Sequence, residues 1–188
     1  MIIKSIALGN AEEAYVEERL TDGVNIIFSD DNNKGKTLVM QGMMYAMGNQ
    51  PIFPKGFNYR ANFFYCKVEI NKKEIEFLRR DSSFVVKKQE KYYIFDNVTE
   101  LKYFLVDEHI FEIPQISKDD HMVVADLNLF YELFFIGQDK RNPSNTINSG
   151  YNNKKDFVSM LCSMNGYPLI NVCLLYTSPS PRDISGSR

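Results

Sequence analysis

The chain has 188 residues, 44% of them hydrophobic, and a formal net charge of -2 at pH 7. This length supports one globular domain with a hydrophobic core and is short for two. The near-neutral charge provides no general attraction to nucleic acid or anionic lipid. No apolar run approaches the roughly 18 residues of a spanning helix, and no secretory signal opens the chain, so we expect a cytoplasmic protein without a membrane partner.

Cysteine and histidine usage argues against a disulfide framework and a protein-only metal site. Cys66, Cys162 and Cys173 form no CxxC pair and are odd in number, so we expect reduced, buried thiols. His109 and His121 lack partners at ligand spacing.

Residues 1–61 are predicted to form short strands, a polar loop and a first helix. Residues 2–8 and 15–20 are typical of strands separated by a turn, and residues 24–28 (VNIIF) indicate a third, apolar strand. Apolar residues recur at helical intervals over residues 37–47, and Gly48 and Pro51 end that helix.

Residues 62–105 are predicted to form a β-rich insert. The runs FFYCKVEI, KEIEFLRR, SSFVVKK and KYYIF alternate with period two and are separated by turn residues, which indicates an antiparallel meander. A helix over residues 100–106, capped by Asn97 or Thr99, follows the meander.

Residues 106–165 contain two further apolar segments. DLNLFYELFFIGQD forms a helix or strand that runs into Gly137. A final helix opens at Asn152 or Asn153 and continues through Met164.

The loop between residues 28 and 38 matches a phosphate-binding pattern. Seven of the eight positions of GxxxxGK[ST] fit Asp30 to Thr37, and Asp30 occupies the position of the first glycine. A strand before the loop and a helix after it are the context that converging backbone N–H groups need. Lys36 is expected to reach the outer phosphates and Thr37 to hold Mg²⁺. The residues predicted to bind nucleotide are Asn32, Asn33, Lys34, Gly35, Lys36, Thr37 and Leu38.

Three other interpretations of the loop remain open. In two of them the loop binds a nucleotide in another class of enzyme, and in the third it binds no nucleotide. NKKD, residues 153–156, matches a guanine-recognition pattern, but the polar NTINSGYN before it favours a helix start. MVVA before Asp126 suggests a compact kinase or ATPase with Asp126 on Mg²⁺, against an ordinary core strand. The loop is otherwise a solvated turn in a non-catalytic interaction module, because the Asp30 carboxylate repels phosphate.

Three segments together resemble the amino-terminal head segment of SMC-like, Rad-type ATPases of the ABC class. They are MIIKSIAL, GVNIIFSDDNNKGKTLVMQGMMYAMG and LFFIGQDKRNP. Asn32 fills the asparagine position of the family's GxNxxGK[ST] loop, AMG ends the helix, and Gln138 after the β-rich insert suits the family's Q-loop. Asp30, and the lack of an arginine-bearing adenine-side motif between Leu8 and Tyr15, depart from the pattern.

The resemblance, which covers residues 1–165, implies an α/β P-loop NTPase fold of ABC/SMC-head type. The expected sheet is mixed, with an antiparallel β-rich insert, and only the N-terminal half of the head is expected. Gln138 is implied to be catalytic and to contact the metal together with Thr37.

The same resemblance implies that ATP and Mg²⁺ are the cofactors. The implied partner is a second ATPase head, from another copy or from the protein's own carboxy-terminal half, and a coiled coil couples the heads to DNA. The processes left open are repair, chromosome organisation and phage defence. The signature motif and the catalytic glutamate of such heads are not recognisable here, so we expect the intact protein to be an ATPase and this segment alone to be inactive.

The last residues have a different composition from the rest. CLLYTSPSPRD, residues 173–183, resembles the translated product of a sequencing-library transposon adapter. We therefore expect residues 173–188 to be a non-native tail and the native sequence to continue beyond Val172. The alternative is a genuine flexible tail.

Overall fold

The structure, a computed structural model, describes residues 1–31, 35–118, 121–134 and 154–167. Contacts divide the chain into two compact units, which are considered separately below. Unit 1 contains Met1–Glu112 and Asp126–Lys140, and unit 2 contains Ile113–Ala125 and Arg141–Arg188. The expected non-native tail, residues 173–188, lies outside the described residues.

Unit 1 is built on a six-stranded sheet with the strand order β2-β1-β3-β4-β5-β6. Every pairing in this sheet is antiparallel. The strands are β1 (Ile2–Gly9), β2 (Ala14–Glu17), β3 (Phe63–Ile70), β4 (Lys73–Arg80), β5 (Ser83–Lys88) and β6 (Lys91–Phe95).

The four strands β3 to β6 confirm the predicted meander. Alternate side chains are buried on one face, so that Cys66 on β3 lies opposite Phe77 on β4, and Phe77 lies opposite Val86 on β5. Asn71 and Lys72 form the two-residue turn between β3 and β4, and both have positive φ (51° and 63°). That backbone matches the twist of the flanking strands and sets their register.

The prediction of a strand at residues 24–28 is wrong, because these residues form no strand in the structure. Among the described residues, no backbone hydrogen bond involves residues 24–28. The side chains of Val24, Ile26 and Phe28 are 90%, 78% and 81% exposed. A strand needs a neighbour to complete its hydrogen bonds, and the described residues supply none. The mixed sheet therefore stays a prediction, since every described strand pair is antiparallel.

The described part of unit 1 also contains three α-helices, α1 (Lys36–Ala46), α2 (Val98–Asp107) and α3 (Leu127–Tyr131), and a short 3₁₀ helix, Tyr59–Ala61. α1 confirms the first predicted helix and lies against β1, β3 and β4. Gly42 permits this approach, since a Cβ there would lie 2.8 Å from Cδ1 of Phe64. Asn97 is confirmed as the cap of α2, because its side chain accepts a hydrogen bond from the backbone N–H of Glu100 (2.9 Å).

Unit 2 contains a hairpin of β7 (Gln115–Lys118) and β8 (His121–Val124) with helix α4 (Lys154–Met164). α4 confirms the final predicted helix, although its expected caps, Asn152 and Asn153, lie outside the described residues. The backbone N–H of Ser117 donates to Oγ of Ser159 (3.3 Å), which joins β7 to α4. The sequence pattern did not predict β7, because QISK is short and carries one apolar residue.

The described cysteines are both reduced, and they differ in access to solvent. Cys66 is buried in the sheet, and burial raises the pKa of its thiol to about 12. Cys162 on α4 is half-buried. In the parts of the chain that the structure describes, no helix has both the length and the apolar character to cross a membrane.

Candidate nucleotide-binding site

The N-terminus of α1 is open to an anion. Gly35 precedes the helix with left-handed backbone angles (φ 79°, ψ 9°) and accepts the first helical hydrogen bond, from the N–H of Val39 (3.0 Å). Among the described residues, no side chain caps this end, and the first turn contains no acidic residue. The first N–H groups of a helix and its dipole attract negative charge, so this end of α1 fits a phosphate.

Lys36 folds back over the start of the loop. Its Nζ donates to Oγ of Ser29 (2.7 Å) and to the backbone carbonyl of Asp31 (2.9 Å), and Oγ of Ser29 donates to the same carbonyl (2.8 Å). These acceptors are neutral oxygens, whereas a phosphate oxygen is charged and forms a stronger bond with an ammonium group. Lys36 is therefore held over the loop by contacts that an anion can replace.

The other predicted binding residues are placed only in part. Thr37 and Leu38 lie in the first turn of α1, half-buried, and the side chain of Asp30 is exposed. Asn32, Asn33 and Lys34 lie outside the described residues, as does Gln138. The structure thus places Gly35, Lys36 and Thr37 at the start of α1. The predicted roles of Asn32, Asn33, Lys34 and Gln138 stay predictions.

Asp126, the Mg²⁺ ligand of the alternative compact enzyme, has a structural role in the described residues. It precedes α3 as the N-cap residue, and its Oδ1 accepts a hydrogen bond from Nζ of Lys102 (3.1 Å). Lys102 is buried, and an ammonium group beside the carboxylate competes with a metal ion. No group of three or more potential metal ligands occurs among the residues that the structure describes.

The alternative guanine-recognition motif falls at the start of α4. Lys154, Lys155 and Asp156 belong to the first turn of that helix, and Asn153 lies outside the described residues. Asp156 is buried, with its Oδ2 3.9 Å from Nζ of Lys118. An acidic residue in the first turn favours a helix start, as the sequence predicted.

The sequence analysis missed three residues that contact Lys36 or the far end of α1. Ser29 anchors Lys36, and Arg79 and Tyr131 bind the opposite end of α1. Arg79 had a detectable signal, because it continues the buried alternation of Ile75 and Phe77 along β4. A charged residue in a buried register indicates a specific partner. Tyr131 had no such signal within its apolar run.

Comparison with known proteins yields a distant similarity. No family model matches the chain. Over 118 residues the chain is 27% identical to the Lamassu protein LmuB of Bacillus cereus (strain VD014). The match covers 63% of this chain and 21% of that protein, so the chain spans about a fifth of the relative's length. At a coarse level, this similarity supports a relation to SMC-like phage-defence proteins.

Proposed function

We propose that this chain is the ATP-binding, N-terminal head segment of an SMC-like ATPase that acts in phage defence. The uncapped N-terminus of α1, preceded by left-handed Gly35 and covered by Lys36, carries the proposal. The similarity to the Lamassu protein LmuB supports phage defence over repair and chromosome organisation.

The residues at the start of α1 have distinct tasks in this proposal. Lys36 leaves Ser29 and Asp31 and neutralises the outer phosphates of ATP. The backbone N–H groups of the first turn point at the same phosphates, and Thr37 offers its hydroxyl to Mg²⁺. Bound Mg²⁺ supplies further neutralisation of phosphate charge. Gln138 completes the metal site in the intact protein.

Hydrolysis needs groups that we assign to the rest of the intact protein. A transferring phosphoryl group requires charge stabilisation and an oriented water on the side away from Lys36. The resemblance assigns these tasks to a second head. The segment therefore binds ATP without turning it over at a useful rate.

The exposure of residues 24–28 (VNIIF) supports the proposal that a partner covers this segment in the intact protein. Its near-continuous apolar character is typical of a strand that is buried on both faces of a largely parallel sheet. Apolar side chains are costly in water, and a run of them with unpaired backbone groups is unusual on the surface of a stable protein. We assign the neighbouring strands to the remainder of a longer protein or to a second head.

DNA is the further proposed partner of the intact protein. With a net charge of -2, this segment contributes no general attraction to phosphate backbones. We therefore assign DNA contacts to local basic surfaces of the assembled protein.

ATP binding by this chain is expected to depend on the divalent cation. A fluorescent ATP analogue titrated with the 188-residue chain should show saturable binding in Mg²⁺ and loss of most affinity in EDTA, because Mg²⁺ shares the phosphate charge with Lys36. Phosphate release should stay at the no-protein background. Equal signals with and without the chain would instead favour a non-catalytic interaction module with a degenerate loop.

A charged residue in the segment of residues 24–28 is expected to leave the stability of this chain nearly unchanged and to impair the intact protein. Ile26→Lys should change the free energy of unfolding of the chain by no more than about 0.5 kcal/mol, because Ile26 is 78% exposed. Ile6→Lys is the matched control and should unfold the chain, since Ile6 is 2% exposed on β1. In the intact protein, Ile26→Lys should abolish ATP turnover. Equal destabilisation by both substitutions in urea titrations would show that residue 26 is packed, and would remove the argument for a strand partner.

A further inference from the structure

Two side chains from distant parts of the sequence hold the C-terminal end of α1. Nη1 of Arg79, on β4, donates to the carbonyls of Tyr45 (3.0 Å) and Asn49 (2.9 Å). The hydroxyl of Tyr131, on α3, donates to the carbonyl of Met47 (2.9 Å). The last carbonyls of a helix have no partner within it, so these bonds complete the end of α1 from two sides. Arg79 and Tyr131 are together called the α1 clamp.

Arg79 makes an unusually complete set of contacts for a buried cation. It is 5% exposed, Nε donates to the carbonyl of Asp81 (2.8 Å), and Nη2 donates to Oε1 of Gln50 (3.1 Å). Its guanidinium carbon lies 3.6 Å from the ring centroid of Tyr45 and 4.5 Å from that of Phe84. Burial lowers the pKa of the guanidinium to about 10.

Burying a cation is costly, and the contacts of Arg79 explain how that cost is offset. The partial negative charge at the helix end and the faces of two rings attract the guanidinium. The described hydrogen bonds of the guanidinium all go to the end of α1, to the residues just after it or to the turn after β4. Arg79 is thus placed to hold α1 at one orientation on the sheet.

Because α1 is a rigid helix, a tilt at its clamped C-terminal end displaces its N-terminal end. The helix has 11 residues, and Gly42 lies against Phe64 near its middle. A tilt of ~5° about the clamped end moves the other end by about 1.4 Å, given the rise of about 1.5 Å per residue. Displacements of that size are large for groups that must converge on one phosphate.

We propose that Arg79 and Tyr131 are positioning residues, which hold α1 so that Gly35, Lys36 and Thr37 converge on nucleotide phosphate. This rests on the proposed ATP binding, and it adds a set of residues that never touch the ligand. Tyr131 is 2% exposed, and its removal as a donor leaves the Met47 carbonyl buried without that partner.

The test compares clamp variants with a destabilised variant that leaves the clamp intact. Tyr131→Phe removes one hydroxyl and keeps the ring, and Arg79→Met removes the donors and keeps an apolar stem between the rings. Arg79→Lys keeps the charge, and we expect its Kd and its exchange rate to lie between those of the wild-type chain and those of Arg79→Met. Val86→Ala on β5 is the control for lost stability, since Val86 is fully buried and its apolar side chain makes no hydrogen bond to the end of α1.

Two quantities are measured on the full chain at a temperature at which circular dichroism shows every variant folded. The first is amide hydrogen exchange over residues 39–43, whose N–H groups are bonded within α1, and the second is the Kd for the fluorescent ATP analogue in Mg²⁺. We expect Tyr131→Phe and Arg79→Met to accelerate exchange and to raise Kd on the order of tenfold. Val86→Ala should change neither quantity, even where it lowers the melting temperature equally.

The outcomes separate the clamp from the proposed function. Unchanged exchange and Kd in Tyr131→Phe, or equal changes in Val86→Ala, overturn the clamp. Failure of the wild-type chain to bind ATP overturns the proposed function, and the exchange of residues 39–43 then decides alone whether the clamp holds α1. Arg79→Lys adds a second comparison. If Arg79 acted only through packing, Arg79→Lys would change Kd and exchange as much as Arg79→Met does, and that result would also overturn the clamp.

Discussion

Replacing Lys36 by methionine is expected to weaken ATP binding on the order of 100-fold, because one charged partner of the phosphate is lost from a partly buried site. Methionine keeps most of the length and volume of lysine, so the packing at the start of α1 is retained. In the chain without ligand, the substitution loses two hydrogen bonds, a partly buried one to Ser29 and an exposed one to Asp31. The free energy of unfolding should therefore change by less than about 1 kcal/mol.

The matched control for this experiment is Lys55→Met. Lys55 is exposed in the loop after α1 and belongs to no predicted binding position. Titration of the fluorescent ATP analogue in Mg²⁺ should give the wild-type Kd for Lys55→Met and little binding for Lys36→Met. Similar affinities for the two variants would mean that non-specific charge, and not the loop, binds the analogue.

Replacing Phe64 by alanine should cost about 3–5 kcal/mol of the free energy of unfolding, as expected for a large aromatic side chain removed from a packed core. Phe64 is fully buried on β3, and its ring centroid lies 5.0 Å from that of Tyr45 and 5.5 Å from that of Phe53. The side chain fills the space between α1 and the sheet. A cavity there also removes support from Gly42 of α1.

Phe63→Ala is the control for this substitution. Phe63 is the preceding residue of the same strand, but it points to the opposite face, is 41% exposed and lies under the guanidinium of Arg80 (4.9 Å). We expect a cost below about 1 kcal/mol. Urea unfolding followed by circular dichroism measures both. Equal costs for the two residues would show that the face of β3 turned toward α1 is not the core.

Local patterns predicted the parts of the fold whose partners are close in sequence. The meander from β3 to β6 was visible because each strand pairs with the next across a short turn, and because Asn71 and Lys72 suit that turn. Asn97 was a visible cap because its partner, Glu100, is three residues away. In such cases the sequence contains both members of the interaction.

Patterns failed where the decisive partner is distant in sequence. The apolar run of residues 24–28 has the propensity of a strand, but a strand forms only beside another, and the described residues offer no neighbour. The pairing of Arg79 with the end of α1 joins residues 34 apart, and that of Tyr131 with Met47 joins residues 84 apart. No periodicity encodes such contacts.

The candidate site was predicted in the same uneven way. The motif and its expected strand–helix context predicted Gly35, Lys36 and Thr37 as binding residues, and this assignment stays a prediction. The helix predicted from residue 37 is confirmed and begins at Lys36. The contact of Lys36 with Ser29 was not predicted, because it depends on how the loop folds back. The positions of Asn32 and Gln138, outside the described residues, stay predictions.

The central claim is that the backbone at the start of α1 binds phosphate. The most direct measurement is the amide resonance of Gly35 in a ¹H–¹⁵N correlation spectrum of the chain, recorded as Mg²⁺ and ATP are added. A hydrogen bond to a charged phosphate oxygen should move the Gly35 amide proton, and those of Lys36 and Thr37, downfield as the site saturates. Unmoved resonances at these three residues, at ATP concentrations that saturate any other change in the spectrum, would contradict the claim.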